Sequence, residues 1–149
     1  MSLQASIMLK LKAAMKSKDQ LALTSLRAIK AELLLAQTAT GSKEELSEAE
    51  EIKLIQKLVK QRKDSATIFT TQNRPDLAEP ELAQVAVIEQ FLPEQLTEEE
   101  VEKIVVQTID ALGASGMKDM GKVMAKVNME VSGQADGKTI SVLVKKNLI

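Results

Sequence analysis

The sequence contains no cysteine, histidine, tyrosine or tryptophan among its 149 residues. These absences exclude a thiolate nucleophile, a Ser–His or Cys–His relay, a disulfide, and a zinc site with thiolate or imidazole ligands. Only carboxylates, lysines and hydroxyls remain as catalytic groups, and no acidic cluster is spaced to hold Mg²⁺. We therefore expect no metal, no cofactor and no catalytic residue. The lack of cysteine is consistent with a reducing compartment.

Aromatic residues and long apolar runs are also scarce. Phe69 and Phe91 are the only aromatic residues, so the core must be aliphatic. No apolar run approaches the roughly 20 residues that a membrane span needs. The start of the chain also lacks the basic region and apolar block of a secretory signal. We therefore predict a cytoplasmic protein without membrane contact, and the sequence leaves the oligomeric state open.

The net charge of -1 hides an uneven distribution along the chain. Residues 1–72 carry 12 basic and 8 acidic side chains, residues 73–112 carry 2 and 10, and residues 113–149 carry 6 and 3. Five of the six glycines also fall in the last segment. Glycine lets the backbone of another molecule come close, and lysine favours an anionic one. The last segment is therefore the main candidate for a binding surface.

Strong helix formers and apolar residues at helical spacing predict an all-α fold. The predicted helices, with some N-caps included, cover about residues 3–16, 19–38, 48–71, 76–91, 97–112, 117–130 and 136–148. The first four form an antiparallel bundle over residues 1–92, and Pro93 ends the fourth helix. The other three form a smaller subdomain over residues 93–149.

Side chains at the predicted helix ends support these boundaries. The predicted N-caps are Ser2, Asp19, Asp76 and Asp136, together with the capping-box pairs Ser47–Glu50 and Thr97–Glu100. Gly113 suits a C-cap, and Pro80 predicts a local bend or a later start of the fourth helix. The predicted apolar stripes are Leu3, Ile7, Met8, Leu11 and Met15 in the first helix, Leu23, Leu26, Ile29, Leu33 and Leu34 in the second, Val101, Ile104, Val105, Ile109 and Leu112 in the fifth, and Ile140, Leu143, Val144 and Leu148 in the seventh.

Several motifs resemble one known family. Residues 91–96 read Phe-Leu-Pro-Glu-Gln-Leu, residues 113–124 read Gly-Ala-Ser-Gly-Met-Lys-Asp-Met-Gly-Lys-Val-Met, and residues 133–138 read Gly-Gln-Ala-Asp-Gly-Lys. With the segments at 26–31 and 60–65, they resemble the YqeY family over essentially the whole chain. Its members are small, mostly bacterial proteins that resemble the helical tail of the GatB subunit of the glutamine-dependent aminoacyl-tRNA amidotransferase. Pro80 departs from the unbroken acidic helix that this resemblance leads us to expect.

The resemblance implies a tRNA-binding module. In the amidotransferase the tail is associated with tRNA binding, and catalysis belongs to other domains and subunits. The family label of carbon–nitrogen ligase with glutamine as amide donor reaches this chain by association only. We expect no catalysis from the chain alone, which has neither the ATP-binding cradle domain nor a glutaminase. The alternatives are an adaptor that docks on a synthetase or amidotransferase subunit, and an amide-forming ligase in its own right.

The candidate nucleic-acid-binding residues lie in the Gly- and Lys-rich segment. They are Lys118, Gly121, Lys122, Lys126, Gly133, Gly137, Lys138 and Lys145. Three of the lysines recur every four residues, so they would line one face of the sixth helix. That face is either a ridge for phosphates or an ordinary solvated surface.

The glycines of this segment have two explanations each. Gly121 within a helix costs about 1 kcal/mol relative to alanine. Either tight packing on the fifth or seventh helix or the backbone of a ligand must offset that cost. Gly133 and Gly137 flank a turn that either binds an anion or simply reverses the chain, with Asp136 as the cap of the next helix.

Two further patterns are weighed in the same way. Four methionines at 117, 120, 124 and 129 form either an adaptable partner groove or part of the core. A basic stripe on the third helix consists of Lys53, Lys57, Lys60, Arg62 and Lys63. Glu50, Glu51 and Asp64 are near enough to pair with it, which favours a salt-bridged surface. No aromatic residue accompanies either basic region, so nucleic-acid contact must rest on backbone and shape.

Overall fold

The computed structural model describes residues 2–39, 41 and 46–149. These residues form seven α-helices, which confirms the all-α class. The helices are α1 Leu3–Ser17, α2 Gln20–Ala39, α3 Glu48–Thr71, α4 Pro75–Ile88, α5 Glu98–Leu112, α6 Met120–Val131 and α7 Gly137–Leu148. The chain divides into two compact units, one up to Leu92 and one from Pro93 to Ile149, and each has its own apolar core.

The first unit is built from helical hairpins with short connections. Two residues join α1 to α2 and three join α3 to α4, so the helices of each pair are antiparallel. Helix α4 packs against both α2 and α3. The residues that form most of the core are Ile7, Leu11, Leu26, Ile29, Leu33, Ile55, Leu58, Val59, Val85 and Ile88.

Three residues of the predicted core of this unit are exposed instead. Met8, Met15 and Leu34 expose 37%, 58% and 46% of their surface. A strict spacing of four residues drifts about 40° around a helix with each step, because a turn takes 3.6 residues. By Met15 the stripe that starts at Ile7 has left the core, and Ala14 is buried in its place.

Helix α4 begins earlier than predicted, and Asp76 is not its cap. Arg74 is the N-cap and Pro75 is the first helical residue, a position where a missing N–H costs nothing. The Asp76 carboxylate instead accepts hydrogen bonds from Arg74 Nε and Nη2 at 3.0 and 2.9 Å. The Arg74 guanidinium holds the pKa of Asp76 below its ordinary value. The helix continues through Pro80 to Ile88 and is followed by a 3₁₀ turn over Glu89–Phe91.

The other predicted caps of this chain are confirmed. Ser2 Oγ accepts from the N–H of Ala5 at 3.2 Å, and Asp19 Oδ1 accepts from the N–H of Ala22 at 3.1 Å. Both predicted capping boxes are formed, at the starts of α3 and α5. Gly113 ends α5 in the left-handed conformation, with φ of 61°.

The second unit packs α5, α6 and α7 around a valine-rich core. Its buried residues are Val101, Val105, Val123, Val127, Val131, Ala135, Ile140, Leu143, Val144 and Leu148. The predicted stripe of α7 is therefore confirmed in full. In α5, Leu112 is exposed although it was predicted to be buried, and Thr108 is buried with its hydroxyl donating to Ile104 O at 2.8 Å. This core determines which sides of α6 and α7 face solvent.

Candidate nucleic-acid interface

Hydrogen bonds join the segment before α5 to the turn between α6 and α7. Gln95 Nε2 donates to Gly133 O at 2.9 Å, and the N–H of Leu96 donates to Gln134 O at 2.8 Å. Gln134 Nε2 donates to Glu94 O at 3.3 Å. Gly133 has φ of 85°, a left-handed conformation that favours glycine. Two of the segments that carry the family resemblance thus form one structural connection, and Gly133 serves it as a turn residue.

The start of α7 has its own cap. Asp136 Oδ1 accepts from the N–H of Thr139 at 2.7 Å, as predicted, and Gly137 is the first helical residue. A carboxylate therefore already lies at this positive helix end, where it would repel a phosphate. At Gly133 and Gly137 the geometry supports the turn interpretation more than the anion interpretation.

Helix α6 starts three residues later than predicted. Residues Met117–Asp119 form a 3₁₀ turn, and Asp119 Oδ2 accepts from the N–H of Ser115 at 3.0 Å. Lys118 therefore lies before α6, not on it. Lys122 and Lys126 lie one turn apart on the solvent-facing side of α6, and all three lysines are exposed.

The exposed side of α6 carries small residues beside its lysines. Gly121 is exposed, and a methyl group added to it would meet no atom within 4 Å. Of the two explanations for Gly121, tight packing on α5 or α7 is therefore wrong. Ala125 lies one turn further along and is also exposed. Gly121 and Ala125 thus form a row of small residues next to Lys122 and Lys126, and another molecule can approach the helix there.

Helix α7 carries lysines with two different roles. Lys138 and Lys145 are exposed and lie seven residues apart, so they share one face of the helix. Lys146 Nζ instead lies 3.1 Å from Glu102 Oε1 on α5, which also accepts from Asn147 Nδ2 at 3.4 Å. The hydrogen bond from Lys146, and then that from Asn147, holds the pKa of Glu102 below its ordinary value. Of Lys145 and Lys146, only Lys146 has a carboxylate partner among the described residues.

The α6–α7 lysines, as we name the set, have no carboxylate within salt-bridge distance in the described part of the chain. They are Lys118, Lys122, Lys126, Lys138 and Lys145. Residues 113–149 contain only three acidic side chains, and the carboxylates of Asp119 and Asp136 accept from backbone N–H groups. Residues 93–149 as a whole carry 9 acidic and 7 basic side chains, with three glutamates at the start of α5. Within residues 93–149, the excess of basic side chains is therefore confined to residues 113–149.

In contrast to the α6–α7 lysines, most lysines of the basic stripe on α3 form salt bridges. Its Nζ–oxygen distances in salt bridges are 3.8 Å for Lys57–Glu32, 2.6 Å for Lys60–Asp64 and 3.3 Å for Lys63–Glu89. Arg62 Nε donates to Gln84 at 2.9 Å. The salt-bridged interpretation of this stripe is confirmed, but Asp64 is the only predicted partner in these bridges. Glu50 completes the capping box of α3, and Glu51 accepts from the N–H of Leu3 at 3.1 Å.

The four methionines of the second unit divide between core and surface. Met120 and Met124 pack against the core, as one of the two interpretations predicted. Met117 is exposed, and Met129 exposes 81% of its surface. The core explanation therefore holds for half of the set.

Other kinds of site find little support in residues 2–39, 41 and 46–149. No three acidic side chains gather there closely enough to hold a metal ion. Every buried side-chain nitrogen or oxygen in the same residues has a hydrogen-bond partner. Among the helices that the structure describes, none combines the length and the apolar character needed to cross a membrane.

Comparison with known proteins identifies relatives of this chain. It is 34% identical over 127 residues to altered inheritance of mitochondria protein 41, mitochondrial, of Pyrenophora tritici-repentis, a match that covers 84% of this chain and 68% of that protein. It is 38% identical over 73 residues to the E subunit of the glutamyl-tRNA(Gln) amidotransferase of Thermococcus gammatolerans. That match covers 46% of this chain and only 12% of that protein. Residues 4–148 match the family model described as Yqey-like protein. The resemblance inferred from the motifs is confirmed, and the chain belongs to the Yqey-like protein family.

Proposed function

We propose that this chain is a tRNA-binding module that holds the phosphate backbone through the α6–α7 lysines. One observation carries the proposal: these exposed cations have no carboxylate partner among the described residues, whereas the lysines of the α3 stripe do in three of four cases. The similarity to a protein named for glutamyl-tRNA(Gln) makes tRNA the first RNA to test.

The local chemistry favours backbone contact over base recognition. Each lysine that neutralises a phosphate releases condensed counterions, so affinity falls steeply as salt rises. The second unit contains no aromatic residue on which a base could stack. The small residues Gly121 and Ala125 leave room for an RNA backbone to come close to α6. Selectivity would then come from the shape of a folded RNA.

The proposed role is binding, and any part in amide transfer is indirect. The chain offers neither a histidine to act as a base nor a thiol to act as a nucleophile. A link to glutamine-dependent amide transfer would consist of presenting RNA to another protein that performs the chemistry. The cytoplasmic location stays a prediction, and the fungal relative is named as mitochondrial.

A mobility-shift assay with bulk tRNA at about 50 and about 200 mM salt tests the proposal. Lys122→Glu is compared with Lys103→Glu, an exposed lysine on α5 of the same unit. We expect Lys122→Glu to weaken binding and Lys103→Glu to change it little. The combined change of Lys118, Lys122 and Lys126 to glutamate should abolish binding. Absence of binding by the unchanged chain at the lower salt, or equal effects of the two single changes, would contradict the proposal.

A protein adaptor is the second candidate, and exposed apolar side chains on the same unit favour it. Met129 on α6 is largely exposed and Val142 on α7 exposes 57% of its surface, close in sequence to the lysines. A stable protein partner recovered after nuclease treatment, and lost on Met129→Glu, would support this function. Glutamine-dependent amide transfer by the purified chain alone would instead revive the ligase alternative.

A further inference from the structure

The hairpin of α1 and α2 carries a second group of cations. Residues 1–39 contain six basic and two acidic side chains. The basic ones are Lys10, Lys12, Lys16, Lys18, Arg27 and Lys30. Both acidic side chains have other partners, because Asp19 caps α2 and Glu32 lies 3.8 Å from Lys57. The cations of this hairpin therefore have no carboxylate in salt-bridge distance among the described residues.

The hairpin places four of these cations on neighbouring stretches of α1 and α2. Two residues join the antiparallel helices, and near the open end Gln37 Nε2 donates to Gln4 Oε1 at 3.5 Å, so the middle of α1 runs beside the middle of α2. Because a helix rises 1.5 Å per residue, Lys12, Lys16, Arg27 and Lys30 lie within about 8 to 14 Å of one another along the hairpin. Lys12, Lys16 and Arg27 are exposed, and Lys30 is partly exposed.

The other side chains of the hairpin bear on whether its partner is a polyanion or a lipid surface. Lys10 is already engaged, with its Nζ 4.8 Å from the centre of the Phe91 ring. The large apolar residues exposed on the hairpin are Met8, Leu9, Met15, Leu21, Leu34 and Leu35, and residues 1–39 contain no aromatic side chain. Helices that lie in a membrane interface typically present Trp, Phe and Leu together with their cations. The hairpin has the leucines but not the aromatic anchors, and its clearest feature is the uncompensated charge, so we take the phosphates of a polyanion as the occupant and test a lipid surface as the other outcome.

We propose that Lys12, Lys16, Arg27 and Lys30 form a second phosphate-binding surface, the α1–α2 surface, for the same RNA. This inference rests on the proposed function of the α6–α7 lysines. Two contacts on one chain raise affinity because binding of the first keeps the second at high effective concentration.

The test compares two triple variants with the same change of net charge. Lys12→Gln/Lys16→Gln/Arg27→Gln removes cations that lack a carboxylate partner, and Lys57→Gln/Lys60→Gln/Lys63→Gln removes the salt-bridged cations of α3. Binding of bulk tRNA to the full chain is measured across salt concentration. Each lost phosphate contact should reduce the slope of log affinity against log salt by about 1, so the α1–α2 variant should lose about 2 to 3 and the α3 variant less than 1. Circular dichroism checks that both variants are folded, and the double variant Lys12→Gln/Lys16→Gln repeats the test with α2 unchanged.

The outcomes separate the two proposals. A normal slope for the α1–α2 variant, with binding still lost in the α6–α7 variants, would overturn the α1–α2 surface and leave the proposed function standing. Equal losses in both triple variants would show a general charge effect and also overturn it. No tRNA binding by the unchanged chain would overturn both proposals. Binding to phosphatidylserine vesicles that the α1–α2 variant loses, with tRNA binding intact, would assign the surface to a membrane.

Discussion

Replacing Gly121 with alanine should stabilise the second unit and at the same time weaken its binding of RNA. Alanine reduces the freedom of the unfolded chain and has a higher helix propensity, which together stabilise a compatible site by about 0.4–1 kcal/mol. The site is compatible because the new methyl group meets no atom within 4 Å. Gly121 is only the second residue of α6, so we expect the lower half of that range.

In a unit of this size, the expected gain in unfolding free energy predicts a measurable rise in Tm. At about 2.1 cal/mol/K of unfolding entropy per residue, about 0.5 kcal/mol raises the Tm of a unit the size of residues 93–149 by about 4 °C. Thermal unfolding followed by circular dichroism measures this shift. Ala125→Gly is the matched control, because it removes a methyl group from the same exposed row and should cost about 1 kcal/mol.

Measuring tRNA binding by the same two variants separates the effect of the methyl group on stability from its effect on RNA binding. If an RNA backbone approaches α6 at Gly121, Gly121→Ala should bind tRNA several-fold more weakly in spite of its higher stability. Ala125→Gly should bind at least as well as the unchanged chain when both are folded. A lower Tm for Gly121→Ala would refute the open surface that the structure places there. A higher Tm with unchanged tRNA affinity would refute the close approach of RNA at this position.

Three further substitutions test contacts that stabilise the second unit. Glu102→Gln should lower the stability at neutral pH. Because the pKa of Glu102 is lowered in the folded state, its contribution is present above the unfolded value of about 4.3 and disappears as pH falls through the folded value. Urea unfolding should therefore show the variant and the unchanged chain converging in acid, whereas a Glu99→Gln control should differ little at either pH. Asp136→Ala should cost about 1 kcal/mol through loss of the α7 cap, measured by the same method, and an unchanged midpoint would contradict that role. Gly133→Ala should cost about 1–2 kcal/mol because its φ of 85° is unfavourable for a side chain, and a neutral result would show that the turn relaxes easily.

Local features of this protein were readable from short stretches of chain. The capping boxes at Ser47–Glu50 and Thr97–Glu100 depend on groups three residues apart, so the spacing alone predicts the contact. The same holds for Gly113 at the end of α5. Asp76 is the exception, because Arg74 competes for its carboxylate and Pro75 already suits the first position of the helix.

Which cations have a carboxylate partner could be read only from the folded chain. Lys60–Asp64 lie one turn apart and are predictable, but the partners of Lys57, Lys63 and Lys146 come from other helices. No spacing rule distinguishes Lys145, which stays available, from Lys146, which Glu102 engages. No binding role was predicted for the basic residues of α1 and α2, although the first 39 residues already show an excess of basic side chains.

Helix type, most helix ends and family membership followed from the order of residues, because each depends on groups within about one turn or on matched motifs. Packing decided which lysines have a carboxylate partner and how much space surrounds Gly121. Those properties depend on which helices pack against each other. Side chains more than 20 residues apart meet only when the core of their own unit forms.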